Sequence, residues 1–204
     1  MTLQRIEMPD TIQEVGQTAS AARLIDLANK RIDAYTRSKR PVIENFVHCD
    51  FGLVDRTLAW IASNHLLAGE RFCEFGSGFG VATLLAELHG LDAVGIEIEP
   101  YLVDQSYKLA ETLGLSSQFY CGSFVPRDLP GILDWSCEVD HVLTEEGDVY
   151  DEIGSELDEF DLFFAFPWPG EHGFFEAIFD ECAADRSCLL SYRGRDGMHL
   201  LRKV

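Results

Sequence analysis

The amino-acid sequence predicts an α/β fold, with helices on both faces of a mostly parallel sheet and an antiparallel hairpin strand at the C-terminus. Two observations support this prediction. From Arg71 onward, short apolar runs typical of buried strands alternate with segments of helical spacing. The final segment, SCLLSYRGRDGMHLLRKV, has two apolar runs around a glycine-rich turn, which is typical of a hairpin.

The length and composition are those of one compact domain. A chain of 204 residues, 47% hydrophobic and 25% charged, can bury a sizeable core. No apolar run approaches the roughly 18–20 residues that cross a bilayer, and the N-terminus has no apolar signal region. The six cysteines form no pair with metal-ligand spacing. We therefore expect a reduced, cytoplasmic protein without a metal site or membrane contact.

The elements are predicted in a regular order. Helices are expected over residues 18–38 and 53–67, separated by the irregular segment PVIENFVHCDFG. RFCEF is a strand, VATLLAELHG a helix closed by Gly90, and LDAVGIEIE a second strand. Pro100 begins a further helix that Gly114 ends. SSQFYCGSF and FDLFFAF are later strands, and a helix follows through Phe174, Phe175, Ile178, Phe179 and Cys182.

The charge balance is strongly acidic. The chain has 16 Lys and Arg against 35 Asp and Glu, a net charge of −19, which disfavours nucleic acid as a partner. Acidic residues are concentrated in residues 134–161, and no Lys or Arg lies between Arg127 and Arg186. This pattern favours a solvated loop and helix face. The alternative is an electronegative lip that attracts a cationic substrate or partner.

The segment RFCEFGSGFG places three glycines at alternate positions directly after a strand. In parallel sheets, ligands bind at the carboxyl ends of the strands. Glu97 lies 21 positions after Gly76, close to the offset of about 20 expected for an acid that binds ribose hydroxyls. The GxGxG spacing and Glu74 do not suit a pyrophosphate, which argues against an NAD-dependent oxidoreductase. Glu74 suits an ammonium or sulfonium group, and so favours S-adenosylmethionine.

CEFGSGFG followed by VGIEIEP resembles motif I and the ribose-binding acid of class I S-adenosylmethionine-dependent methyltransferases, whose loop usually reads ExGxGxG. The resemblance covers residues 70–125 and, more loosely, DLFFAFPWPG. Within that superfamily, the chain is similar to a set of small bacterial methyltransferase-like proteins with an FPWPGE-like segment. The resemblance implies a three-layer Rossmann-like core over residues 70–204. Residues 1–69 would form N-terminal helices and a segment that covers the cofactor, or a homodimer contact.

The resemblance also implies which residues hold the cofactor. The methionine part would be surrounded by Glu74, Gly76, Ser77, Gly78 and Gly80. Ribose and adenine would meet Glu97 and Ile98, and the adenine would be flanked by Gly122, Ser123 and Phe124. Many family members have an acid where this chain has Ser123, so the contact to the adenine amino group departs from the family pattern.

AFPWPGEH, residues 165–172, stands where this family places its catalytic motif. Phe166, Pro167 and Trp168 would stack on a planar substrate or face the cofactor sulfonium. The alternative is an aromatic–proline plug that closes the end of the sheet. Phe166 replaces the polar residue of the Asn/Asp/Ser-Pro-Pro-aromatic motif, which argues against nucleobase N-methylation. The candidate bases are Glu171, His172, His48 and Asp50.

The interpretation is an enzyme that transfers a methyl group from S-adenosylmethionine to a small-molecule or protein acceptor and releases S-adenosylhomocysteine. Methyl transfer is an in-line displacement, so positioning of the acceptor supplies most of the rate gain. The alternative is a non-catalytic or regulatory protein that kept the cofactor pocket, because few residues after FPWPG remain to build a substrate domain. Turnover with any acceptor distinguishes the two.

Overall fold

A seven-stranded sheet forms the centre of the fold in a computed structural model that describes residues 2–38, 49–127, 129, 131, 139, 147, 149–194 and 197–204. The strands are β1 Leu3–Ile6, β2 Arg71–Phe75, β3 Asp92–Glu97, β4 Gln118–Cys121, β5 Leu162–Ala165, β6 Cys188–Tyr192 and β7 Met198–Lys203. The helices are α1 Ala19–Thr36, α2 Phe51–Ser63, α3 Val81–Leu88, α4 Pro100–Leu113, α5 Val149–Ile153 and α6 His172–Cys182. Short 3₁₀ turns cover Asp10–Glu14 and Leu157–Glu159.

The sheet has the order β1-β7-β6-β5-β2-β3-β4. The five central strands, from β6 to β4, are parallel, and β7 runs antiparallel to β6. The predicted α/β sandwich with an antiparallel C-terminal hairpin is therefore confirmed. Because the chain continues from β2 to β3 and β4 on one side and returns to β5 on the other, the strand order reverses between β2 and β5. Ligands bind outside the sheet at such a reversal.

The sequence pattern does not predict β1. It pairs antiparallel with β7, with Leu3 opposite Lys203 and Ile6 opposite Leu200, and so runs parallel to the central strands. Its four residues have no alternation of apolar side chains, because Leu3 and Ile6 are three positions apart. Pairing with the far end of the chain therefore determines this strand.

Two apolar layers pack on the two faces of the sheet. Side chains of α1 to α4 form one cluster with Phe72, Phe164 and Leu190 of the sheet. Residues of α5 and α6 form the other cluster with Phe163 and Leu189, because successive strand residues point to opposite faces. Within the described residues, no helix combines the length and apolarity that a membrane span requires.

Side-chain caps set the limits of the N-terminal helices. Thr18 Oγ1 accepts a hydrogen bond from the Ala21 N–H (3.1 Å) at the start of α1, close to the predicted boundary. The prediction of residues 53–67 for α2 is shifted from the observed Phe51–Ser63. Asp50 caps the helix earlier by accepting from the Leu53 N–H (2.9 Å), and His65, at φ +50°, ends it.

The described part of the acidic segment is folded. Residues 149–161 form α5 and a 3₁₀ turn, and they bury Tyr150, Leu157 and Phe160 against the second apolar layer. The Tyr150 hydroxyl donates to the Phe124 carbonyl (2.5 Å). In addition to the solvated face predicted from the charge pattern, residues 149–161 therefore have an apolar face that packs against the core. Residues 132–138 and 140–146, which include Cys137, lie outside the described residues.

Glu87 near the end of α3 fastens the turn that precedes β4. Its carboxylate accepts hydrogen bonds from the N–H and hydroxyl groups of both Ser116 and Ser117, at 2.5–3.0 Å. Partial burial raises the pKa of Glu87, but the four donors outweigh it and leave the pKa below its usual value. A carboxyl with a lowered folded-state pKa stabilises the fold above its unfolded-state pKa, and this contribution is lost as the pH falls through the folded-state value.

We expect Glu87→Gln to lower the free energy of unfolding by about 1 kcal/mol at pH 7, because the amide accepts fewer of these bonds. The difference from wild type should shrink as the pH falls below 4.5, the usual glutamate pKa, and through the lower folded-state pKa of Glu87. Urea unfolding at pH 7 and pH 3.5 measures both effects, with the exposed Glu70→Gln as the control. An equal difference at the two pH values would contradict the assigned role.

Candidate functional site

The glycine loop, residues 76–80, follows β2 at the point where the strand order reverses. The N–H groups of Gly76 and Ser77 both donate to the Ile96 carbonyl of β3 at 2.9 Å, and the Gly80 N–H donates to the Ser77 carbonyl at 2.7 Å. Gly76 has φ +74°, and a Cβ added there would meet no atom within 4 Å. The loop is therefore held rigidly on the sheet and has open space beside Gly76, where another molecule can approach the backbone.

Ser77 lies in this loop with its side chain 5% exposed. Its Oγ is buried and has no hydrogen-bond partner among the described residues. Gly95 of β3 makes this position possible, because a Cβ there would lie 2.8 Å from Ser77 Cβ. A buried hydroxyl without a partner costs free energy, and a ligand atom at this place would remove that cost.

Glu97 ends β3 and is 7% exposed. Its Oε2 accepts from the Gly78 N–H (2.7 Å) and its Oε1 from the Glu99 N–H (3.0 Å). Burial raises the pKa of Glu97, and the backbone donors partly oppose the shift. The predicted ribose-binding acid is thus in direct contact with the glycine loop. Its remaining lone pairs are available to hydroxyl donors.

Glu74 of β2 is 5% exposed and lies on the face of the sheet that α1 to α4 cover. Its Oε2 accepts two hydrogen bonds from Thr83, from the N–H at 2.9 Å and from the hydroxyl at 2.5 Å. Because Gly80 at the start of α3 has no side chain, Glu74 takes the place of a capping residue for this helix. Burial raises the pKa of Glu74 to about 8, although the Thr83 donors oppose the shift.

The N-terminus of α2 lies near this carboxylate. Asp50, a candidate base, caps α2 through its bond from the Leu53 N–H. The neighbouring Cys49 is buried, and its thiol pKa is raised first by burial and then by the charge of Glu74. The segment just before α2 is therefore placed beside β2. His48 and residues 39–47 lie outside the described residues.

The loop after β4 was expected to flank the adenine. The Gly122 N–H donates to the Glu97 carbonyl (3.0 Å), and Ser123 Oγ accepts from the Val125 N–H (3.1 Å). The Phe124 ring packs in the core instead of at the edge, with the rings of Phe75 and Phe175 at 4.9 and 5.3 Å. Ile98, next to Glu97, is among the exposed large hydrophobic residues, at 41%.

The segment after β5 forms the other wall of the reversal point. Phe166 stacks on Tyr192 at the end of β6, with ring centroids 4.8 Å apart and planes inclined by 7°. Pro167 is buried and Trp168 half-buried. The stacked pair is consistent with both the aromatic–proline plug and a wall for a planar substrate.

Glu171 and His172 begin α6. Glu171 is 4% exposed, and its N–H donates to the Trp168 carbonyl (3.0 Å). His172 Nε2 lies 3.1 Å from the Tyr192 carbonyl oxygen. Since a carbonyl only accepts, neutral His172 carries its proton on Nε2, and Nδ1 remains as the acceptor.

Sequence reasoning missed three residues that support the site. Thr83 holds Glu74, Tyr192 stacks on Phe166, and the buried Ser106 of α4 donates to the Gly78 carbonyl at 2.9 Å. Hydroxyl residues on the inner faces of α3 and α4 were the available signal, because a buried hydroxyl needs a partner. In the described part of the chain, no cluster of His, Cys, Asp and Glu has the arrangement of a metal site.

No protein-family profile matches this chain, and no curated protein matches it. Solved structures do. An RNA methyltransferase from Salinibacter ruber, solved with S-adenosyl-L-homocysteine, is 20% identical over 77% of this chain and 92% of its own, with a TM-score of 0.51. A methyltransferase from Geobacter sulfurreducens is 14% identical over 93% and 92%, with a TM-score of 0.51.

A methyltransferase from Podospora anserina bound to S-adenosyl-L-homocysteine is 17% identical, with a TM-score of 0.50. The match covers 87% of this chain and 63% of that one. At these identities the likeness concerns the fold. The chain therefore has a fold like that of the class I S-adenosylmethionine-dependent methyltransferases.

Proposed function

We propose that this protein is an S-adenosylmethionine-dependent methyltransferase that acts on a small-molecule or protein acceptor. One observation carries the proposal most directly: the glycine loop has open space beside Gly76, the buried carboxylate of Glu97 is bonded to the loop through Gly78, and a second buried carboxylate, Glu74, is bonded to Thr83 in the helix that follows. Ser77 Oγ, buried without a partner among the described residues, adds an unused polar group at the same place. This combination fits a ligand that carries ribose hydroxyls and positive charge.

The cofactor is held, in this proposal, by residues at the carboxyl ends of β2 and β3. Glu97 accepts from the ribose hydroxyls, Ile98 contacts the adenine, and Gly76 allows the methionine part to lie against the backbone. Two of the solved structures with this fold are described as complexes with S-adenosyl-L-homocysteine, which supports this assignment. When bound, S-adenosylmethionine supplies an electrophilic methyl group on a positively charged sulfur.

The chain's own contribution to the reaction is positioning. Phe166 and Trp168 orient the acceptor, and the loop between β5 and α6 holds it in line with the methyl group. Where the attacking atom must lose a proton, His172 Nδ1 receives it, because the Tyr192 carbonyl holds the Nε2–H. Glu171 is the second candidate base. Asp50 acts through its cap on α2 and so places the segment beside Glu74.

The acceptor is a small molecule or a protein side chain. A net charge of −19 repels phosphate backbones, and Phe166 stands where amino-methylating enzymes of nucleobases have a polar residue. One structure with this fold is described as an RNA methyltransferase, so RNA belongs among the acceptors to be tested. The alternative function, cofactor binding without turnover, predicts tight binding and no methylated product with any acceptor.

The test is calorimetric titration with S-adenosylmethionine, S-adenosylhomocysteine and NAD, comparing Gly76→Ala with Gly90→Ala. Both glycines have positive φ, and at both an added Cβ meets no atom within 4 Å, so the backbone strain is matched. We expect Gly76→Ala alone to lose roughly ten- to a hundredfold in affinity for S-adenosylmethionine, because its methyl group occupies ligand space.

Wild-type protein that binds neither adenosyl compound, or that prefers NAD, would contradict the proposed cofactor. If binding is found, transfer of a labelled methyl group to metabolite, protein and RNA pools distinguishes the enzyme from the non-catalytic alternative.

A further inference from the structure

Two buried carboxylates, Glu97 bonded to the glycine loop and Glu74 bonded to the first turn of α3, have no cationic partner among the described residues. Glu74 and Glu97 are 5% and 7% exposed, and the hydrogen bonds that each side chain accepts come from backbone N–H groups and the Thr83 hydroxyl. The negative charge of Glu97 also acts on Glu74. Placing two negative charges here costs more free energy than placing one, because burial leaves both poorly screened.

Among the titratable groups packed together here, Glu74 is the one most suited to exchange a proton near neutral pH. Glu97 on β3 raises the pKa of Glu74, and two thiols lie close enough for the Glu74 charge to raise their own pKa values, Cys73 on β2 and Cys49 in the segment before α2. Burial raises the pKa of both thiols, which therefore stay protonated. Burial raises the pKa of Glu74 to about 8, whereas Glu97 has donors from three backbone groups to oppose its shift.

A bound cation shifts Glu74 from its protonated form towards its ionised form. S-adenosylmethionine carries a sulfonium charge that S-adenosylhomocysteine lacks, and both carry an ammonium group. A positive charge near two carboxylates favours their ionised forms. The Thr83 N–H and hydroxyl then bond to a full negative charge and become stronger.

We propose that Glu74 carries a proton in the cofactor-free protein and releases it to solvent when the cationic cofactor binds, which makes the site select S-adenosylmethionine over its uncharged-sulfur product. This inference rests on the proposed function. The exchange is balanced: the protonated carboxyl becomes a carboxylate, one proton passes to the buffer, and the cofactor charge takes its place. Product release is then favoured by reprotonation of Glu74.

The expected signature is proton-linked binding. Affinity for S-adenosylmethionine should rise with pH by up to about tenfold per unit below pH 8 and level off above it. Calorimetry in phosphate and in Tris, whose ionisation enthalpies differ, counts the protons released. We expect close to one per site at pH 7 with S-adenosylmethionine, and fewer with S-adenosylhomocysteine.

Two variants give the assignment its test. Glu74→Gln keeps an oxygen that accepts from Thr83 but has no proton to release. Its affinity for S-adenosylmethionine should therefore not rise with pH below pH 8 as the wild-type affinity does. Thr83→Val removes the hydroxyl that favours the ionised form, so the midpoint of the pH profile should move upward. Glu181→Gln, an exposed position on the opposite helical layer, is the matched control and should behave like wild type.

Cofactor-free stability gives a readout independent of binding. A carboxyl with a raised folded-state pKa holds a proton that the unfolded chain loses, so stability falls as the pH rises from about 4.5 to about 8. The urea midpoint of wild type should therefore fall over this range relative to that of Glu74→Gln.

The outcomes are separable. Tight binding with equal proton release and equal pH dependence in wild type and Glu74→Gln would overturn the proton exchange and leave the methyltransferase proposal intact. An unmoved midpoint in Thr83→Val would likewise overturn it, even if Glu74→Gln did not fold. Absence of S-adenosylmethionine binding at every pH would remove the proposed function and this inference together.

Discussion

Gly80→Ala lowers the free energy of unfolding by roughly 3 kcal/mol, the largest effect on stability that we expect from a single methyl group in this protein. Gly80 has φ +70°, and an added Cβ would lie 2.4 Å from Phe119 Cε1 and 2.9 Å from Ser106 Cβ. Both neighbours are fully packed, so relief requires movement of β4 or α4. The expected drop in Tm is about 6–12 °C.

Gly114→Ala is the matched control for this prediction. Gly114 also has φ +70°, but its added Cβ would meet no atom within 4 Å, so it carries the backbone strain without the steric conflict. We expect it to cost about 1 kcal/mol. The double variant Gly80→Ala/Phe119→Leu should lose less unfolding free energy than the sum of the two single variants, because the smaller side chain relieves the contact with the added methyl group. Equal costs at the two glycines would show that the contact with Phe119 has no energetic weight.

Glu97→Ala should lower the affinity for S-adenosylmethionine by about a hundredfold or more. Hydrogen bonds to a charged acceptor contribute about 1.5–3 kcal/mol each, and the two ribose hydroxyls both donate to this carboxylate in the proposed complex. The variant also frees the Gly78 N–H, which Glu97 holds at 2.7 Å, and so loosens the loop. Both effects act on binding in the same direction.

Calorimetry measures this loss, with Glu99→Ala as the control. Glu99 is two residues away: its variant retains the backbone N–H that donates to Glu97, and removes a charge that raises the pKa of Glu97, so Glu97 remains a carboxylate. Its variant should keep wild-type affinity. Glu97→Gln, which retains one accepting oxygen, should fall between the two. Unchanged binding in Glu97→Ala would show that the ribose lies elsewhere, whatever cofactor the protein binds.

Most of the fold could be predicted because its elements have strong local signals. Apolar runs and helical spacing identified six of the seven strands and the positions of α1, α3, α4 and α6. β1 was missed because its four residues gain their conformation from pairing with β7 at the far end of the chain. The start of α2 was misplaced because Asp50 caps it two residues earlier than the apolar pattern indicated.

The candidate site likewise has a part that could be predicted from the sequence and a part that depends on tertiary packing. The glycine loop and Glu97 follow from spacing alone, because a strand, a tight turn and a second strand are contiguous in the chain. Glu74 was interpreted from sequence as a contact for positive charge, and its bond to Thr83 depends on how α3 lies over β2. Phe124 was expected at the adenine, and its ring packs between Phe75 and Phe175 in the core.

By itself, the sequence determined the strand–glycine–helix order and the placement of an acid at the end of the following strand. These are local properties, set by backbone preferences and periodicity over a few residues. The tertiary structure decided that Glu74 and Glu97 are buried, and that His172 presents its proton to Tyr192. Burial and hydrogen-bond partners arise from packing between distant segments, and they control the charge on these side chains.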